Sequence, residues 1–127
     1  MKKLAAVFLA LSLSGCFMLP VNSIYRPDDG IDWNKKPPAD YPHLKVIEHL
    51  VTHKQIETQC DTKDPFVIGC ALANYDWMTC TVYIDKSTDI YRAEIHEIRG
   101  HCRGYDHYNS TYFRDKWNKW KKDNGYK

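Results

Sequence analysis

Four cysteines in a short chain constrain this sequence more than any other feature. Cys60, Cys70, Cys80 and Cys102 lie in a chain of 127 residues, enough for one domain of ordinary size. What they can do depends on the compartment, and the N-terminus bears on that. Lys2 and Lys3 open the chain, the run from Leu4 to Leu13 is apolar except for Ser12, and the small residues Ser14 and Gly15 follow. Such a run is too short to span a bilayer and has the layout of a secretory signal over residues 1–15. Export favours oxidation, so two disulfides are expected, in one of three connectivities. Zinc held by all four cysteines is disfavoured, because no two of them have C-x-x-C spacing. At roughly 2–4 kcal/mol each, two bridges would matter greatly to so small a core.

The end of the leader, Leu13-Ser14-Gly15-Cys16, resembles the lipobox of bacterial lipoproteins. The resemblance implies cleavage before Cys16, a lipid (diacylglycerol, with palmitate) on that residue, and attachment to a membrane. Phe17 in place of Asp implies the outer membrane, facing the periplasm. Cleavage would take two of the 18 basic residues and none of the 16 acidic ones, leaving 112 formally neutral residues of the 127. Net charge then gives no steering toward nucleic acid, and no such partner is expected. With 43% hydrophobic and 13% aromatic residues, the composition is that of a folding chain.

Residues 16–42 hold five of the six prolines and the turn-like Asp28-Asp29-Gly30, and read as a tether. The domain is expected over 43–127. Lys45 to Val51 has strand composition, and Thr52 with Gln55 forms a capping-box pattern for a short helix to about Cys60. Phe66 to Ala73 and Trp77 to Asp85 read as an antiparallel hairpin turning near Asn74-Tyr75-Asp76, its second strand alternating wet and buried. A helix should begin at Ser87, Thr88 or Asp89 and stop at Gly104, with Tyr91, Ile95, Ile98 and Cys102 as its apolar face. A last helix over about Ser110 to Asp123 carries Phe113, Trp117 and Trp120 as a core stripe. Because Cys102 lies on the face turned to the hairpin, Cys60–Cys70 with Cys80–Cys102 is the first choice of pairing. The fold class is α+β: a small disulfide-stapled domain with an antiparallel hairpin or sheet packed on two helices.

Three of the six histidines crowd into His96-Glu97-Ile98-Arg99-Gly100-His101-Cys102-Arg103-Gly104-Tyr105-Asp106-His107. In the zinc helix H-E-x-x-H the two His share a face at i and i+4, and the Glu serves as base. Here the spacing is i and i+5, which on a regular helix separates the side chains by roughly 140°. A π-type turn brings residues five apart onto one face, and Gly100 is where the extra residue can be absorbed. An alternative site pairs Glu97 with His101 at i and i+4. His43, His49 and His53 read as surface or structural histidines.

The stretch HEIRGH resembles the zinc motif of the dipeptidyl peptidase III family of metallopeptidases. His101-x-x-Gly104-x-x-His107 resembles the second half of the metzincin signature. Together the resemblances cover residues 87–107 and imply a zincin-like domain with Zn2+ held by His96, His101 and His107, Glu97 being the catalytic base. No Glu follows Glu97 and no Met follows His107, so His107 is the best third ligand and Asp106 a weaker one. The implied function is a membrane-anchored zinc metallopeptidase (a hydrolase) acting on peptide or protein substrates in the cell envelope, its zinc-bound water activated by Glu97. Tyr105, Tyr108 or Arg103 could stabilise the oxyanion, although packing or solvated surface is the commoner role for any one of them. The alternative is a non-catalytic envelope lipoprotein, a binding or inhibitory module or a degenerate zincin.

Overall fold

The computed structural model describes residues 30–126. The leader and Cys16 lie outside the described residues. Strand β1 spans Lys45–Val51, helix α1 His53–Gln59, β2 Gly69–Asn74, β3 Thr79–Asp85, helix α2 Ile90–Glu94 and helix α3 Tyr112–Asp123. Between α2 and α3 the chain continues as a π turn, Ile95–Gly100, and a 3-10 turn, His101–Arg103.

The capping box fixes the start of α1: the Thr52 hydroxyl accepts from the Gln55 N–H, and the Gln55 side chain accepts from the Thr52 N–H. Asp89 caps α2 by accepting from the Arg92 N–H. The sheet is mixed, in the order β1-β3-β2. β2 and β3 form the expected antiparallel hairpin, Gly69 opposite Ile84, while β1 runs parallel to β3, Lys45 opposite Thr79. β3 is therefore the central strand. Its Cys80, Val82 and Ile84 are buried, alternating with half-buried Thr79, Thr81 and Tyr83.

Helices cover the sheet from both sides. Val82, Ile84 and Cys80 join Ala71, Ala93, Phe113 and Trp117 in the main core. Phe113 and Trp117 are fully buried, and truncating either to Ala would cost about 3–5 kcal/mol. On the other face Ile56 of α1 packs with Cys60, Val67 and Cys70 in a smaller cluster. Each cluster contains one disulfide cysteine pair. Cys60–Cys70 ties the end of α1 to β2, and Cys80–Cys102 ties β3 to the 3-10 turn, each worth about 3 kcal/mol.

Two sequence expectations change. The inward face of the α2–π segment is Ala93, His96, Glu97, Gly100 and His101, whereas Tyr91 is 65% exposed. Of the stripe drawn with a period of 3.6, Cys102 and Ile98 do pack on the main core, while Tyr91 falls outside it. The Pro-rich stretch also differs, for from Gly30 onward it lies against the body. Ile31 is fully buried, Trp33 packs on Tyr105, and Tyr41 packs on Trp117.

Candidate metal centre

The site is built by a break in helix regularity. α2 passes into the π turn at Ile95, so His96 and His101, five residues apart, point the same way. Gly100 is required for a second reason besides the turn. A Cβ there would sit 3.2 Å from the Cδ1 of Ile31, tight enough that the docked side chain would have to give by a few tenths of an ångström.

The chain then reverses. Gly104 has φ +91°, its N–H donates to the His101 carbonyl, and the Tyr105 N–H donates to the Gly100 carbonyl. These two bonds are the paired closure of a Schellman turn, which glycine adopts at least cost. The turn brings His107 back toward the π turn. Two further contacts hold it: Ile31 bridges antiparallel to His107, and the flanking backbone pairs Asp32 N–H with the Asp106 carbonyl and Tyr108 N–H with the Gly30 carbonyl.

The result is a triangle of Nε2 atoms. His101 and His107 are 2.8 Å apart, His101 and His96 3.2 Å, and His107 and His96 3.2 Å. Nitrogens about 2.0–2.1 Å from a tetrahedral zinc stand about 3.3 Å apart, so the triangle has the size of one metal's coordination face. The tautomer also fits. His101 Nδ1 lies 2.9 Å from the Tyr105 carbonyl, which can only accept. The proton therefore sits on Nδ1, and the Nε2 lone pair points into the triangle. One Nε2 lone pair is a poor acceptor for two neighbouring imidazoles at once, whereas a central cation would satisfy all three.

All three imidazoles are buried, at 4%, 1% and 3% exposure for His96, His101 and His107. Burial, then the neighbouring imidazoles, pushes His101 and His107 well below the usual histidine range, and the Tyr105 bond only partly opposes this for His101. They are neutral and so ready to ligate. Phe113 lies flat on His101, ring centroids 4.7 Å apart, and fixes its plane.

Among the described residues, these three histidines form the group able to hold a metal ion; it could take one, and its chemistry does not name which. Glu97 is buried beside the triad in sequence but stands outside the ligand group. A Cβ on Gly69 would lie 3.5 Å from its Oε2, so the carboxylate rests against the start of β2. The pairing of Glu97 with His101 is thus replaced by His96 with His101. Asp106 is no ligand, since its carboxylate accepts from the Phe113 and Arg114 N–H groups and caps α3. Tyr105 meets the site through its carbonyl, while Tyr108 and Arg103 are exposed. Sequence reading misses Ile31, Phe113 and the Tyr105 carbonyl as supports. Only Ile31, an apolar β-branched residue amid prolines, left a sign.

The remaining histidines go elsewhere. His53 donates to Asp85, His49 stacks on Tyr83 at 5.1 Å, and His43 is exposed.

Among known protein families, curated proteins and solved structures, none matches this chain.

Proposed function

We propose that this chain is a zinc-dependent peptide hydrolase, held at the bacterial cell envelope by a lipid on Cys16 and facing the periplasm from the outer membrane. One observation carries the catalytic part: three buried imidazoles converge through Nε2 within 2.8–3.2 Å of one another, with a carboxylate adjacent in sequence to the first. Three histidine ligands with no thiolate suit zinc in a catalytic site, where a fourth position serves substrate or water. Bound there by His96, His101 and His107, zinc would supply a Lewis acid able to polarise a carbonyl oxygen and acidify water.

The chain's own groups do the rest. The Tyr105 carbonyl holds His101 in the ligating tautomer, and Phe113 keeps its ring in plane. Glu97 takes a proton from the attacking water and delivers it to the leaving amine. It stands outside the ligand group. The test is a peptide-library digest with wild type and Glu97→Gln, alongside metal content. Glu97→Gln should keep its zinc and lose hydrolysis by about a hundredfold or more; undiminished turnover refutes the base. Cys16→Ser should release the protein from membranes, and retention there refutes the anchor.

A second reading has its own support. The triad and Glu97 are at most 4% exposed, and the third histidine is paired to Ile31. Both suit a metal that staples the N-terminal segment to the body of a non-catalytic module. In that case chelation would unfold the domain, and Glu97→Gln would change nothing in any digest.

A further inference from the structure

A second site lies on the outer flank of the metal-bearing turn. A cleft of about 430 Å³ opens between the docked N-terminal segment and that turn. Three cations line it, Lys36, Arg99 and Arg103, together with the rings of Trp33, Tyr41 and Tyr105 and the paired prolines at 37 and 38. No acidic residue lines the cleft. All three cations are exposed, and no carboxylate among the described residues pairs with their side chains. Cations on the neighbouring surface behave differently: Lys121 pairs with Asp40 and Lys119 with Asp123.

The walls are built rather than accidental. Trp33 and Tyr105 meet with centroids 5.1 Å apart at 50°. Tyr41 lies so close to Gly104 that a Cβ there would come within 2.9 Å of its ring. Adjacent prolines stiffen the rim, so little ordering cost falls on a ligand. Two of the cations are arginines, whose planar forks match carboxylate and phosphate oxygens. Three like charges around one concavity raise its potential and draw a counter-ion.

We propose that this cleft binds an anionic group carried on a flat ring, its carboxylate or phosphate oxygens held by Arg99 and Arg103 and its ring against Trp33 and Tyr105. The cleft and the metal centre share Tyr105, which lends its ring to the cleft and its carbonyl to His101. The inference needs neither a bound metal nor catalysis, so it stands or falls apart from the hydrolase reading.

Calorimetric titration of the purified full chain in neutral detergent, with and without chelator, tests it. The probes are phenyl phosphate, benzoylglycine, inorganic phosphate and the uncharged benzamide. At least one ring-bearing anion should bind saturably and about tenfold more tightly than benzamide or inorganic phosphate, and Arg99→Gln and Arg103→Gln should each weaken it about tenfold. Which anion binds better tells a phosphorylated ligand from a carboxylic acid. Chelation that leaves the near-ultraviolet circular dichroism unchanged should leave binding unchanged, whereas loss of binding on chelation with the fold intact assigns the anion to the histidine triangle and overturns the proposal. Equal binding of benzamide or of inorganic phosphate overturns it as well, as do unaltered affinities in both arginine variants or the absence of saturable binding by either ring-bearing anion. Near-ultraviolet circular dichroism and metal content check that the variants keep the wild-type fold.

Discussion

His49 and His53 are four residues apart, and His96 and His101 are five apart, yet only the second pair meets. On spacing alone the first pair is the better metal site, since four residues return a helix to the same face. The strand–helix junction at Thr52 undoes that: His49 lies on β1 against Tyr83, and His53 opens α1 and turns to Asp85. In the second pair the π turn makes five residues equal to one full revolution. Backbone type, rather than separation in sequence, decides which histidines become neighbours.

The comparison is broken most directly by alanine at each histidine. Replacing His96, His101 or His107 should lower zinc affinity by more than about a hundredfold, beyond the cost of removing an outer partner. His49→Ala and His53→Ala should leave it unchanged. Equal losses from the two groups, measured by competition with a zinc chelator dye, would void the distinction.

A smaller effect sharpens it at the support level. Ile31→Ala should weaken zinc about tenfold to a hundredfold through His107 and destabilise the domain by about 2–5 kcal/mol. Gly100→Ala should do likewise in milder degree, because the added Cβ meets Ile31 at 3.2 Å. Denaturant melts and metal titrations on the same samples separate the two effects. Wild-type zinc affinity in Ile31→Ala would show that the bridge does not position His107.

The least effect belongs to the histidine that found a carboxylate. Burial raises the Asp85 pKa, but the bonds from the Ser87 hydroxyl and N–H and from His53 together outweigh it, so it lies below its ordinary 3.8. A depressed carboxylate stabilises the fold at pH above its unfolded pKa, and that stability is lost as pH falls through the folded pKa. Asp85→Asn should therefore cost about 1 kcal/mol at neutral pH and flatten the stability slope below pH 3.8. An unchanged acid slope in thermal melts would remove Asp85 from the account.

Much of this was legible beforehand. Thr52 and Gln55 announced α1, the alternation from Thr79 to Ile84 announced β3, and His96, Gly100 and His101 together announced a widened turn. Each signal is local, and caps, pleats and turns depend on near neighbours. What stayed hidden depends on distant ones. Nothing near Leu44 in sequence says that β1 will run parallel to β3, because the hairpin partner is the local choice and the parallel one closes a longer loop. A regular helical period places Tyr91 in the core, yet it is 65% exposed, because the segment that follows it is not regular. Asp106 looked like a spare ligand because its true partners, the amides of Phe113 and Arg114, belong to an element that begins several residues later.

The bridge between Ile31 and His107 also sets an order of events. A chain growing from its N-terminus makes its strap early and then must make 76 more residues before the strap's partner exists. Until His107 emerges, two imidazoles offer themselves where three are needed, and metal capture waits on the longest-range contact of the site. Such non-local closures come late in folding. Any metal the triad takes would therefore enter as a final step of assembly rather than as a seed for it.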